Sequence, residues 1–191
     1  MGALKCLILA LALLAASRTE AQILARWQPY VAEASARFGV PQGWIWRVMA
    51  AESGGRTLLG GKPIRSPKGA IGLMQLMPAT WRAMREACGL GGDPDEPRDN
   101  ILAGTAYLRR LYDRYGYPGL FAAYNAGPGR YEDYLAGRPL PAETRRYADE
   151  IAGRTDRPLA AGSPAAARAA PPAGLLGYDR GDQRLFAVRH P

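Results

Sequence analysis

Apolar residues return every three or four positions through much of the chain, a period that predicts helices. Ile23, Trp27, Val31, Ala34 and Phe38 form one such stripe and Gly39 a stop, so a helix is expected over 23–38. A second is expected over 41–53, opened by Pro41. In it Trp44, Val48 and Ala51 share one stripe, and Ile45, Met49 and Glu52 the next. The period is lost over 54–72, where Gly and Pro predict a loop or small β-hairpin. Pro78 opens a helix to Cys88, with Trp81, Met84 and Cys88 as its stripe and Gly89 as its stop. After a turn-rich acidic loop at 91–97, Asp99 or Asn100 is expected to cap a long helix to Tyr115. Ile101, Thr105, Leu108 and Tyr112 mark its buried stripe. Shorter helices are expected near 120–124, 130–135 and 142–151, with a break at 125–129. No internal repeat is visible.

Within this pattern Glu52 stands out. It closes an apolar helical run just before Gly54 and Gly55 and lies beside a mostly apolar face. A carboxylate in such surroundings is hard to ionise, so its pKa rises and it keeps a proton near neutral pH. That is the property of a general acid. The competing reading is a surface glutamate at a helix end.

Composition adds compartment and partner. The chain has 191 residues, 48% of them hydrophobic, and a net charge of +8. That suits one packed domain with extensions and a bias toward an anionic polymer. The basic residues form no run and no nucleic-acid motif, so no nucleic-acid partner is expected. Residues 1–21 read as an export signal: Lys5 is followed by an apolar run over 6–16, too short to span a bilayer stably. After its removal Cys88 is the sole cysteine, expected to be a buried thiol outside any internal disulfide. Residues 22–156 are expected to form the folded domain. Residues 157–191 read as an Ala/Pro/Gly-rich linker and a flexible tail, in which Leu175, Leu176, Tyr178, Leu185 and Phe186 could dock on a partner. The only histidine, His190, lies in that tail, so no metal or organic cofactor is expected. The 91–97 loop lacks the ligand spacing of a calcium loop.

Three glycine-containing signals follow in order: Glu52-Ser53-Gly54-Gly55, Gly72-Leu73-Met74-Gln75 and Ala123-Tyr124-Asn125-Ala126-Gly127. With Pro141-Ala142-Glu143-Thr144-Arg145-Arg146-Tyr147 they resemble the soluble lytic transglycosylase family, related to goose-type lysozyme, over roughly 23–151. The resemblance implies a mainly α, lysozyme-like (α+β) domain with a small β-hairpin beside a glycan groove. It also implies a peptidoglycan substrate, cleaved between N-acetylmuramic acid and N-acetylglucosamine to leave 1,6-anhydromuramic ends, with Glu52 as the sole catalytic acid/base. A small stand-alone chain of this kind resembles transglycosylases that serve a secretion or conjugation apparatus. A periplasmic monomer is expected.

The sequence supplies its own check on that chemistry. Most glycosidases use two carboxylates, yet no Asp or Glu occurs between Glu52 and Glu86. Glu52 is therefore expected to work alone, with the substrate's N-acetyl group supporting the oxocarbenium-like state. An acid from farther along, Asp93, Asp95 or Glu96, would instead make the protein a lysozyme-type hydrolase. A glycan-binding module without turnover is the remaining alternative. Ser53 is placed to bond near Glu52 or the acetamido group, or simply to cap the helix. Gln75 can both donate to and accept from a sugar, and the resemblance puts it in the groove. Met74 is expected on the groove floor or in the core. By resemblance Tyr124 orients Glu52 through its hydroxyl, Asn125 contacts the glycan or holds its turn, Glu143 meets the peptide stem or buttresses the groove, and Tyr147 lies near it.

Overall fold

The computed structural model describes residues 25–153. The expected export segment and the linker and tail lie outside them. Residues 25–38 are helical (α1), followed by α2 (Gln42–Ser53), a hairpin of β1 (Leu58–Leu59) and β2 (Lys62–Pro63), α3 (Pro78–Cys88), α4 (Pro97–Tyr115), α5 (Gly119–Ala126), α6 (Pro128–Leu135) and α7 (Ala142–Ala152). The fold is thus mainly helical with one two-stranded antiparallel sheet, pairing Leu58 with Pro63 and Leu59 with Lys62, as the sequence pattern predicts.

The helical stripes become the core. Trp27, Val31 and Ala34 of α1 are buried, as are Ile45, Val48 and Met49 of α2 and Trp81, Met84 and Cys88 of α3. Each large aliphatic side chain among them contributes on the order of 2 kcal/mol by leaving water. Ala51, assigned to the Trp44 stripe, is exposed, because α2 ends two residues later and nothing packs over that side of its last turn.

Two expectations for α4 are corrected. The cap is Glu96, whose carboxylate accepts from Arg98 N at 3.5 Å, and Pro97 takes the first turn. Proline loses nothing there, since that N–H has no helical partner. Asp99 and Asn100, expected as caps, sit inside the first turn and are free for tertiary bonds. The buried surface of α4 is also broader than one stripe. Residues from Asp99 to Ala106 are all buried, so the N-terminal half is a central strut with neighbours on every side. Gly104 permits this closeness: a Cβ there would lie 2.5 Å from Met74 Cβ.

The short helix expected near 120–124 extends to Ala126, and the break narrows to Gly127, with α6 starting at Pro128. Asn125 therefore belongs to a helix rather than to a turn. Helix α5 packs against α4, α6 and α7, and α7 also packs against α2. This closure brings residues from both ends of the domain to the last turn of α2.

Candidate active site

Helix α2 stops at Gly54, whose N–H returns to Ala50 O, and leaves Glu52 in the final turn. Met49 and Ile45, one and two turns back on the same face, are wholly buried. They anchor the helix so that the Glu52 carboxylate is carried inward, half-buried, against α7. There the Tyr147 hydroxyl donates to Glu52 Oε1 at 2.5 Å. Burial pushes the Glu52 carboxyl from its ordinary 4.5 up to about 7, the Tyr147 bond pulling weakly the other way. A group with this pKa holds its proton in a good fraction of molecules at neutral pH and gives it up readily.

Two phenols face the charge of the acid, Tyr124 buried and Tyr147 partly so. Tyr147 and Tyr124 both have hydroxyls held well above the usual tyrosine range, by burial first and by the Glu52 charge next. Tyr107 of α4 lies against Tyr124, ring centroids 5.4 Å apart, and burial raises its hydroxyl too. All three stay protonated at any physiological pH, so each keeps a hydroxyl proton to donate. Tyr124, expected to orient Glu52, donates instead to Met74 O at 2.7 Å. The hydroxyl that reaches Glu52 is that of Tyr147, 95 residues along the chain. Tyr107 was not singled out in the sequence, because at helical spacing it looks like any other core aromatic.

The turn carrying Met74 and Gln75 is held from beneath by Asn100. Its Oδ1 accepts from Met74 N at 2.8 Å, and its Nδ2 donates to Ile71 O at 3.2 Å and Pro94 O at 3.0 Å. Gly72 is required above it: its φ is +72°, and a Cβ there would press into the Asn100 amide. Gln75 follows with φ +45°, the one non-glycine residue with positive φ among the described residues. Its Nε2 donates to Gly72 O at 2.8 Å, and the side chain remains part-exposed. Met74, by contrast, is wholly buried against Gly104. Its side chain fills the core and does not reach a groove floor.

The other expected site residues divide. The Ser53 hydroxyl is occupied locally, donating to Met49 O at 3.2 Å and accepting from Gly55 N at 3.1 Å, which closes the end of α2 beside the acid. Asn125 Oδ1 accepts from Thr144 Oγ1 at 2.9 Å and so joins α5 to the first turn of α7, the helix that delivers Tyr147. Glu143 is exposed in that same turn.

The acids at 93–99 have other partners. Asp95 makes a bidentate pair with Arg65, both bonds at 2.6 Å. Asp93 accepts from Asp95 N, Glu96 caps α4, and Asp99 Oδ2 accepts from Gly91 N at 2.7 Å. Among the described residues no group of His, Cys, Asp or Glu is arranged to hold a metal ion, and no helix is long and apolar enough to cross a membrane.

A sequence profile described as the transglycosylase SLT domain matches residues 29–143. The soluble lytic murein transglycosylase of Escherichia coli (strain K12) is 36% identical over 131 residues, covering 59% of this chain and 20% of the relative. That of Salmonella typhimurium (strain LT2) is 42% identical over 107 residues, covering 46% and 17%. This chain thus spans a fifth or less of the length of these curated relatives. Among solved structures, an inactive mutant of the lytic transglycosylase Slt from Pseudomonas aeruginosa superposes with a TM-score of 0.57 at 29% identity, covering 65% of this chain and 22% of that one.

Proposed function

The chain belongs to the transglycosylase SLT domain family, and from that membership we propose that it is a peptidoglycan lytic transglycosylase in which Glu52 alone serves as acid and base. The observation that carries the reading is the Glu52 carboxyl, raised to about 7 by burial and tied to Tyr147. Protonated Glu52 donates to the glycosidic oxygen as the bond from C1 of N-acetylmuramic acid to that oxygen breaks. The carboxylate so formed takes the proton from the 6-hydroxyl of the same sugar as O6 closes on C1. Atoms and charge balance without water, and the product is a 1,6-anhydromuramic end. The acetamido group of the substrate supports the positive charge that develops at C1. Tyr147, a donor at every physiological pH, keeps the carboxylate oriented through both halves.

A water-using route needs a second carboxylate to activate the water. The acids nearest in sequence, Asp93, Asp95 and Glu96, each bond to an arginine or to backbone N–H groups of their own loop, which favours the single-acid route. Gln75, Tyr147, Asn125, Ser53 and Glu143 form or support the substrate-binding side, with Asn125 and Glu143 exposed and Gln75 part-exposed to touch sugar. The substrate places the reaction outside the cytoplasm, in agreement with the export segment expected at 1–21.

The test is mass spectrometry of fragments released from purified peptidoglycan by the wild type and by Glu52→Gln. Anhydro ends that vanish in the mutant are expected. Reducing ends would convert the reading to a hydrolase, and release unaffected by Glu52→Gln would overturn the role of Glu52.

A further inference from the structure

Helix α7 brings Tyr147 to the acid, so whatever sets the rotation of α7 sets that bond. The buried stripe of α7 is Thr144, Ala148, Ile151 and Ala152. Apolar contacts of this kind are non-directional, so they press a helix onto its neighbour without defining its rotation tightly. Thr144 is the polar exception. It is 3% exposed, and a hydroxyl taken out of water needs a partner. The partner is Asn125 Oδ1, which accepts from Thr144 Oγ1 at 2.9 Å.

That bond is a directional tie in the first turn of α7. The turn has no side-chain cap, and Leu140, buried just before it, holds the entry by apolar contact. At the far end the Tyr117 hydroxyl donates to Ala152 O at 2.9 Å. Tyr147 follows Thr144 by three residues, so the two share a face of the helix. A tyrosine hydroxyl stands roughly 8 Å from its helix axis, and turning the helix by about 20° carries it about 3 Å. A displacement of that size breaks a hydrogen bond, here the 2.5 Å bond from Tyr147 to Glu52. The other end of the tie is fixed as well. Asn125 directly follows Tyr124, whose hydroxyl donates to Met74 O at 2.7 Å and pins α5 on the turn that carries Gln75.

We propose that Thr144 is a positioning residue for the acid: its bond to Asn125 sets the rotation of α7 on α5 and so keeps the Tyr147 hydroxyl on Glu52. Thr144 is buried and acts through Tyr147. The consequence for wall cleavage rests on the single-acid reading above; the effect on Glu52 itself does not. Among the described residues, the titratable groups that face Glu52 are Tyr147 from α7 and Tyr124 from α5, with Glu150 beside Tyr147 and Tyr107 of α4 beside Tyr124. None of them is changed by substitution of Thr144.

The test is a carbon NMR titration of the Glu52 carboxyl in the full chain without substrate. Thr144→Val keeps the side-chain shape and removes the hydroxyl, and the exposed Asn125 amide turns to water. Loss of the Tyr147 bond removes the influence that lowers the Glu52 pKa. The pKa should therefore rise in Thr144→Val by at least half the rise that Tyr147→Phe produces, and Thr144→Ser should restore the wild-type value. The double variant Thr144→Val/Tyr147→Phe should match Tyr147→Phe alone, because the two changes remove one interaction. Asn125→Ala cuts the same bond from an exposed position and should raise the pKa in the same way. An unmoved pKa in Thr144→Val or in Asn125→Ala, or a double variant that shows the sum of the single shifts, overturns the proposal. On purified peptidoglycan the alkaline limb of the rate should move up with the pKa in Thr144→Val. Anhydro ends from a protein whose Glu52 ignores Thr144 would remove the positioning role and leave the activity. The expected shifts without wall cleavage would keep the positioning role and remove the activity.

Discussion

Glu52 and the acids at 93–99 are the same chemistry in opposite settings. Asp95 sits in an exposed loop, meets Arg65 in a bidentate pair and is bound as a charge. Asp93 and Glu96 are spent on backbone N–H groups, and Asp99 on Gly91 N and the Arg98 guanidinium. Among the described residues Glu52 is bonded to neither an arginine nor a backbone N–H. It has apolar neighbours, one phenol, and a pKa near 7. A carboxylate becomes a proton carrier when its helix takes it away from cations, and a strut when its loop brings it to them.

The sharpest break of that comparison is exchange at the acid itself. Glu52→Gln should lower the rate of wall cleavage about 10²–10⁴-fold, the usual contribution of a positioned acid/base, read as anhydro ends released per minute. The same substitution should make the protein more stable above neutral pH. Because the folded pKa of Glu52 is raised, its contribution is fully present below pH 4.5 and is lost as pH rises through about 7. The loss amounts to about 3 kcal/mol. Urea titrations of wild type and Glu52→Gln should therefore coincide near pH 4 and separate by up to about 3 kcal/mol near pH 8. Coincidence at both values would show that the carboxyl is not desolvated.

Asn100→Ala should cost about 3 kcal/mol in the same assay, since it strands buried backbone groups of the Gly72–Gln75 turn. Tyr147→Phe removes the bond that lowers the Glu52 pKa, so the alkaline limb of the pH–rate profile should move to higher pH. An unmoved limb would show that the phenol does not touch the working carboxyl. The smallest effect is expected from Asp95→Asn: less than about 1 kcal/mol of stability, as for exposed ion pairs, with cleavage retained. A collapse of activity comparable to that of Glu52→Gln would erase the contrast between the two regions.

Much of this was legible in the sequence because it is periodic. The stripes of α1, α2 and α3 marked their own buried faces, and Glu52 was visible as a charge at the edge of one. What stayed hidden depends on contacts between distant segments. Tyr147 and Tyr124 are both tyrosines in recognisable motifs, and only the packing of α7 on α2 decides which hydroxyl reaches the acid. Asn100 looked like a cap because asparagine caps helices well. Glu96 with Pro97 took that task and released Asn100 to hold a turn whose Met74 lies 26 residues earlier. Met74 remained undecided from sequence, since an apolar side chain serves core and groove alike, and Gly104 resolves it toward the core.

Gln75 adopts a backbone geometry, φ +45°, that glycine would accept without strain. A side chain there costs about 1 kcal/mol or more. A redesign of this domain guided by stability alone would put glycine at position 75, gain thermal tolerance, and remove the amide proposed above to touch sugar. Thermostabilised versions intended as wall-degrading reagents should be selected on turnover as well as melting temperature, with position 75 held fixed.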